Sequence, residues 1–159
     1  LKILAVDFGD SRTGLAVSDP DEFLATPIGI IQEKNMAKVV AQVICTAEEN
    51  RAAQIVVGLP RNMDGSEGFR AEKCRTVARL IAGGTRLPVS LWDERSTTVT
   101  AADILSQNNV YGKKRKKVLD AVAAQVILES FLAWRKNHRD TPVATVEPLV
   151  ISPVTQEPE

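Results

Sequence analysis

The stretch Leu1-Lys2-Ile3-Leu4-Ala5-Val6-Asp7-Phe8-Gly9-Asp10-Ser11-Arg12-Thr13-Gly14-Leu15-Ala16-Val17 decides how the rest of the chain is read. Its opening run through Val6 is short and mostly apolar, the pattern of a largely buried strand. Asp7 closes that run, at the C-terminal end of a rigid element where a carboxylate can face a site. Gly9 and Gly14 bracket a tight turn, and Leu15-Ala16-Val17 resumes an extended pattern, so the unit reads as a hairpin. A strand-end Asp also bonds to turn amides for purely structural reasons. Asp7 therefore becomes a catalytic candidate only where other carboxylates converge on it.

Working outward, Asp19-Pro20-Asp21-Glu22 is a turn, and a third strand lies around Pro27-Ile28-Gly29-Ile30-Ile31. Pro27 marks it as a strand start or an edge. From Asn35 to Asn50 the period changes: Met36, Val39, Val40, Val43, Ile44 and Ala47 recur at helical spacing. Gln54-Ile55-Val56-Val57-Gly58 is a short apolar strand. A helix from about Glu67 to Ile81 follows, with Ser66 or a residue beside it as cap and Gly83-Gly84 as its stop. Pro88 to Trp92 is the next strand, and Ser96 or Thr97 begins a helix through about Leu105. After a turn at Asn108 to Gly112, a long helix runs to about Asn137, with Leu119, Ala123, Val126, Ile127, Ser130 and Trp134 on or near one face. Three opening strands followed by alternating helix and strand predict an α/β fold, a mixed five-stranded sheet with helices on both faces.

The chain has 159 residues, 44% of them apolar, enough for one domain with a substantial core. We expect that domain to occupy residues 1–138. The tail 139–159 holds four prolines and no glycine; it either docks through Val143, Val146, Leu149, Val150, Ile151 and Val154 or remains an extended or disordered appendage. Lys plus Arg total 20 and Asp plus Glu total 20, so overall charge neither requires nor excludes a polyanionic partner. Cys45 and Cys74 lack Cys-x-x-Cys spacing and read as buried thiols of a reducing compartment. No stretch is apolar for long enough to span a bilayer and no signal segment precedes the first strand, so a cytoplasmic protein without membrane association is expected.

Three carboxylates fall at the ends of elements. Asp7 follows the first strand, Glu94 follows the last, and Asp120 lies in the first turn of the long helix. Strand alternation puts Glu94 on the side of Ser90 and Trp92 and turns Asp93 toward that of Val89 and Leu91. Held a few ångströms apart, three carboxylates repel unless a cation sits among them, and oxygen ligands select Mg²⁺ or Mn²⁺. A paired ion site suits in-line hydrolysis of a phosphodiester. The single histidine, His138, lies far along the chain in a polar helix end, which argues against zinc and against His-based catalysis.

Positive charge recurs beside these acids. Lys113, Lys114, Arg115, Lys116 and Lys117 precede Asp120, Arg12 lies in the Asp7 loop, Arg61 follows Pro60, and Arg95 follows Glu94. Such placement fits contacts to a phosphate backbone, although basic runs also flank many helices as solvated surface. No aromatic interleaving points to base stacking: Tyr111 is isolated, Trp92 belongs to a strand, and Phe131 and Trp134 read as packing residues. In the loop Leu59-Pro60-Arg61-Asn62-Met63-Asp64-Gly65, Pro60 stiffens the backbone and Gly65 permits a turn. Asp64 is thereby a further candidate for a metal ligand or water-holding group, though a plain strand-to-helix turn uses the same residues.

Four motifs in order, Asp7-Phe8-Gly9-x-x-Arg12-x-Gly14-x-Ala16-Val17-Ser18-Asp19, Gly58-Leu59-Pro60-x-x-x-Asp64-Gly65, Asp93-Glu94-Arg95-x-Thr97-Thr98 and Asp120-Ala121-x-Ala123-Ala124-x-x-Ile127-Leu128, closely resemble the YqgF/RuvX family. Members of that family are described as Holliday junction resolvases and as nucleases of the pre-16S ribosomal RNA. The resemblance covers about Leu1 to Lys136. It implies a ribonuclease H-like fold, a bacterial cytoplasmic protein, and cleavage of a nucleic-acid backbone that depends on a divalent metal. Carried over residue by residue, the family's acidic site falls on Asp7, Glu94 and Asp120, and its basic segment on Lys113 to Lys117. Related junction resolvases carry a second acidic or His group near the last acid. Here Val118, Leu119, Ala121, Val122, Ala123 and Ala124 surround Asp120, which leaves Asp64 or a substrate phosphate to complete a two-metal site.

Two partners are compatible with this pattern, a ribosomal RNA precursor trimmed at its 5′ end or branched DNA. Trimming needs one active site and suits a monomer, whereas resolving a junction usually needs two and suits a homodimer. A binding module that keeps the acids without turnover is the non-enzymatic alternative. A sugar-kinase-like phosphotransferase also opens with such a hairpin, but 159 residues leave no room for its second nucleotide-binding half.

Overall fold

The computed structural model describes residues 1–96 and 112–150, with backbone alone for 96 and 112–120. Strands β1 (Ile3–Asp7), β2 (Arg12–Ser18) and β3 (Ala25–Gln32) open the chain. Helix α1 (Met36–Glu49), strand β4 (Gln54–Leu59), helix α2 (Phe69–Gly84) and strand β5 (Val89–Asp93) follow. One turn of 3-10 helix covers Glu94–Ser96, and the last helix, α3, spans Gly112–Asn137. The expected helix starting at Ser96 or Thr97 and the turn from Asn108 lie outside the described residues.

The strands form one five-stranded sheet in the order β3-β2-β1-β4-β5. β1 pairs antiparallel with β2 and parallel with β4, and β4 pairs parallel with β5. The C-terminal ends of β1, β4 and β5 therefore share one edge, which is the edge that collects ligands in open sheets of parallel strands.

Strand alternation divides the core. Leu4, Val6, Ile55, Val57 and Val89 face α1 and α2, with Val39, Val43, Val77, Ala78 and Ile81 packed on them. Ile3, Ala5, Ala16 and Val56 face α3, covered by Ala124, Ile127, Leu128 and Phe131. The central strand β1 is apolar on both sides for this reason. Against the expected stripe of α3, Leu119 lies among positions described by backbone alone and Ala123 is half-buried. The seam instead centres on Ala124, Ile127, Leu128 and Phe131, with Trp92, Phe131 and Trp134 in mutual ring contact at 5.3–6.3 Å.

Local chemistry explains most boundaries. Asn35 caps α1, its side chain accepting from Lys38 N at 3.0 Å, and the Asn50 amide N–H donates to Thr46 O at the other end. Pro27 sits on β3, an edge strand, where its missing N–H costs no ladder bond. Ser66 does not cap α2: Gly68 holds that position without a side-chain bond. Ser66 instead donates to Asp64, and its Oγ accepts from Asn62 Nδ2. Cys45 is exposed, contrary to expectation, while Cys74 is buried.

The described part of the tail, 139–150, has no regular structure but follows the open edge of β5. Val146 N donates to Val89 O at 2.9 Å and Leu149 N to Arg79 O at 2.8 Å. Val143 and Val146 pack against the two halves of the core, so edge pairing groups of β5 are partly covered.

Candidate active site

Asp7 ends β1 on the α3 side of the sheet, because it alternates with Ile3 and Ala5. Gly14 lies opposite it in register on β2. One step beyond the Val6–Val57 pair, Gly58 lies on the β4 side. Asp7 is thus half-exposed at a place where neither neighbouring strand projects a side chain. Gly14 serves the site in this way rather than as the end of the turn expected from the sequence. Gly9 does make the turn: a Cβ there would collide with the carbonyl oxygen of Arg12.

Glu94 enters from the far side of the same gap. Its Oε2 lies 3.0 Å from the position a Cβ on Gly58 would occupy, and Ile127 Cδ1 of α3 lies 2.5 Å from that point. The Glu94 carboxylate therefore lies over β4, on the same face as Asp7, with Gly58 between the two strand ends. Burial pushes the Glu94 carboxyl above the usual range; the Arg70 guanidinium partly offsets this and Asp93 adds to it. Beneath the edge, burial first, then the charge of Glu94, with a smaller push from Asp7, drives the Cys74 thiol up to about 12. Asp10 adds to the same upward push, and Arg70 opposes it. The choice of Glu94 over Asp93 for the α3 face agrees with this geometry.

Asp93 belongs to a separate ion-pair cluster. Arg95 wraps it, with Nη2 to Oδ2 at 2.8 Å, and Arg61 reaches the same oxygen at 3.6 Å. Arg61 also pairs with Glu67 at 3.2 Å, and Glu67 pairs with Arg75. Hydrogen bonds from Arg95 hold the Asp93 carboxyl below its usual range. Two of the cations expected to meet substrate phosphates are therefore engaged with carboxylates of their own chain. Arg12 begins β2 and is half-exposed.

Asp64 is exposed, and its Oδ1 accepts from both the Ser66 amide and its hydroxyl at 2.9 and 2.6 Å. Those bonds lower its pKa and use the carboxylate to shape the loop. Pro60 follows the end of β4, and Gly65 adopts φ +90, a conformation that favours glycine. Among the described residues, no group of three or more His, Cys, Asp and Glu side chains is placed to hold an ion. The side chains of Asp120 and of Lys113 to Lys117 lie outside the described residues, so of the three expected acids only Asp7 and Glu94 have described side chains.

Sequence reasoning missed the start of α2. Arg70 acts on Glu94 and on Asp10. Lys73 pairs with Asp10 at 2.9 Å and lies 4.6 Å from the centroid of the Phe69 ring. Phe69 itself is 70% exposed. The Glu67 to Lys73 run alternates charge with an aromatic, a local signal hidden within a pattern that otherwise reads as plain amphipathic helix.

A family model described as "RuvX: Holliday junction resolvase" matches residues 1–134. The chain belongs to the RuvX family. Among RuvX relatives, a protein of Pelotomaculum thermopropionicum named "Putative pre-16S rRNA nuclease" is 41% identical over 133 residues, covering 83% of this chain and 86% of its own. One of the same name from Maridesulfovibrio salexigens is 35% identical over 133 residues, covering 84% and 98%. In structure, the chain is similar to the RuvC of T. thermophilus in complex with a Holliday junction substrate, with TM-score 0.54, 14% identity, and 86% and 96% of the two chains covered. The fowlpox virus Holliday junction resolvase gives TM-score 0.53 at 14% identity, covering 84% and 99%. The RuvX chain thus has the ribonuclease H-like fold that its motifs imply. Among its described residues no helix is long and apolar enough to cross a membrane.

Proposed function

We propose that this RuvX protein is a nuclease that hydrolyses phosphodiester bonds of a ribosomal RNA precursor, maturing the 5′ end of the small-subunit RNA. The names of its relatives support the substrate. The observation that carries the chemistry is the placement of Asp7 and Glu94 on one face of one sheet edge, separated by a glycine.

That donor set fits a divalent cation. Both groups are carboxylates, the oxygen ligands that Mg²⁺ and Mn²⁺ prefer, and Glu94 is buried enough that its ionised form gains from a nearby positive charge. Asp7 and Glu94 would hold the ion, joined by Asp120. The motif Asp120-Ala121-x-Ala123-Ala124-x-x-Ile127-Leu128 supports that third ligand. A bound divalent ion lowers the pKa of a water and neutralises charge building on the phosphate. Asp7, fixed at the end of a strand buried on both faces, orients the reacting centre with little freedom to move. Gly58 gives the Glu94 carboxylate its place over the sheet, and Gly14, in register with Asp7, adds no side chain beside it. Arg70 supplies positive charge beside Glu94, and the segment Lys113 to Lys117, with Arg12, holds flanking phosphates.

A site on one chain suffices to trim a single strand, so a monomer is competent in this reading. We place the protein in the bacterial cytoplasm with its substrate, consistent with the unpaired thiols Cys45 and Cys74. The test is cleavage of precursor ribosomal RNA and of a mobile four-way DNA junction by the same preparation, with Mg²⁺ and Mn²⁺ varied. RNA cleavage that requires either ion is expected. Cleavage of the junction alone would move the substrate to branched DNA, and cleavage of neither would leave a binding module.

A further inference from the structure

The start of α2 presents an unusual surface at the rim of the site. Phe69 is 70% exposed and Met63, in the loop before it, is 92% exposed. Large apolar groups this open are more often contact points than accidents when they cluster beside a site. Here the start of α2 adjoins the loop that follows Asp7. Lys73 places its ammonium 4.6 Å from the Phe69 centroid while pairing with Asp10 of the Asp7 loop. Arg70 is exposed.

Other exposed apolar groups do not share this setting. Phe23 and Leu24, 74% and 67% exposed, lie between β2 and β3 at the opposite end of the sheet. The Trp92, Phe131 and Trp134 rings are committed to one another. Phe69 combines an open ring, a cation held against it, a neighbouring exposed guanidinium, and a link through Lys73 to the Asp7 loop. An open aromatic with flanking cations is how sequence-tolerant proteins grip single strands, by stacking a base while basic groups meet its phosphates.

We propose that Phe69 is a stacking platform for an unpaired base next to the phosphate being cleaved, with Arg70 on an adjoining phosphate. The platform selects an unpaired strand over a duplex, since a base already stacked in a helix has no free face to offer. This deepens the nuclease reading and rests on it for the meaning of the site, but its binding test does not require turnover.

The test uses the full chain carrying Asp7→Asn, so that nothing is cut, and measures fluorescence anisotropy with labelled unpaired RNA, unpaired DNA of the same sequence, and the matching duplex. Adding Phe69→Ala should weaken binding of the unpaired strands by about tenfold, within the range for removing one base–aromatic stack, and leave duplex binding unchanged. Phe69→Trp should restore it. Equal loss for unpaired RNA and DNA supports a base-stacking contact, and loss for RNA alone supports the same contact on a ribonucleotide strand. Unchanged affinity in Phe69→Ala, or equal loss on duplex and unpaired strands, overturns the proposal. Because Phe69 is exposed, its replacement leaves the core intact. If the unsubstituted protein cuts nothing yet Phe69→Ala loses the unpaired strands, the nuclease reading fails and the platform stands; metal-dependent cutting with unchanged Phe69→Ala binding gives the reverse.

Discussion

The Glu94 carboxylate lies across Gly58, with Oε2 3.0 Å from the point where a Cβ on that glycine would sit. This one juxtaposition ties the sheet to the site. β4 must lack a side chain there for Glu94 to reach over the strand toward Asp7, and for Ile127 of α3 to close down beside it. Gly58→Ala should therefore act twice. It should destabilise the fold by about 1–3 kcal/mol, the usual cost of overpacking, and should reduce cleavage more than that destabilisation explains. Chemical denaturation beside a cleavage assay at a temperature where the variant stays folded separates the two effects.

Glu94 is half-buried, and the desolvation of its carboxyl makes the metal-free protein pH-sensitive in a definite direction. Its raised pKa means that the folded chain holds this proton at pH values where the unfolded chain has released it. Its contribution to stability is then fully present below the ordinary carboxylate range and is lost as pH rises through the folded value. Glu94→Gln should accordingly raise the Tm of metal-free protein by a few degrees at neutral pH, with the gain shrinking at acid pH. Adding Mg²⁺ or Mn²⁺ should stabilise the unsubstituted protein but not this variant, which thermal scans across pH will show.

Much of this architecture is legible in the residues alone, because the informative signals are local. The helical period from Asn35 to Asn50 marks α1, and the apolar run through Val6 marks β1 as a mostly buried strand. Asp7 and Glu94 follow from strand ends and alternation. What escapes a linear reading are properties set by distant neighbours. Arg61 and Arg95 read as phosphate contacts but are engaged with Glu67 and Asp93, and only the fold brings Arg61 beside Asp93. Ser66 reads as a helix cap but serves the Asp64 turn. Gly14 reads as a turn glycine and instead lies within β2, in register with Asp7.

The tail offers a stability test outside the site. Val146 donates to Val89 O from beside the β5 edge and packs on the core. Val146→Asp should cost about 1–2 kcal/mol through reduced apolar burial, with turnover per folded molecule unchanged. Urea unfolding with a parallel cleavage assay checks both parts.

The basic run before Asp120 carries an electrostatic expectation. Replacing Lys113, Lys114, Arg115, Lys116 and Lys117 with Ala should weaken binding of all sequences alike. The slope of log affinity against log salt should fall by roughly 0.7 for each single-strand phosphate that the protein no longer neutralises. An unaltered slope in a salt titration would return the run to ordinary solvated surface.

The most direct measurement is cleavage of precursor ribosomal RNA by Asp7→Asn beside the unsubstituted protein, each shown to be folded by its thermal transition. The predicted result is metal-dependent cutting by the unsubstituted protein, abolished by a chelator, and no cutting by Asp7→Asn at an unchanged or higher Tm. Cutting by Asp7→Asn at the unsubstituted rate would contradict an active site built on Asp7 and Glu94.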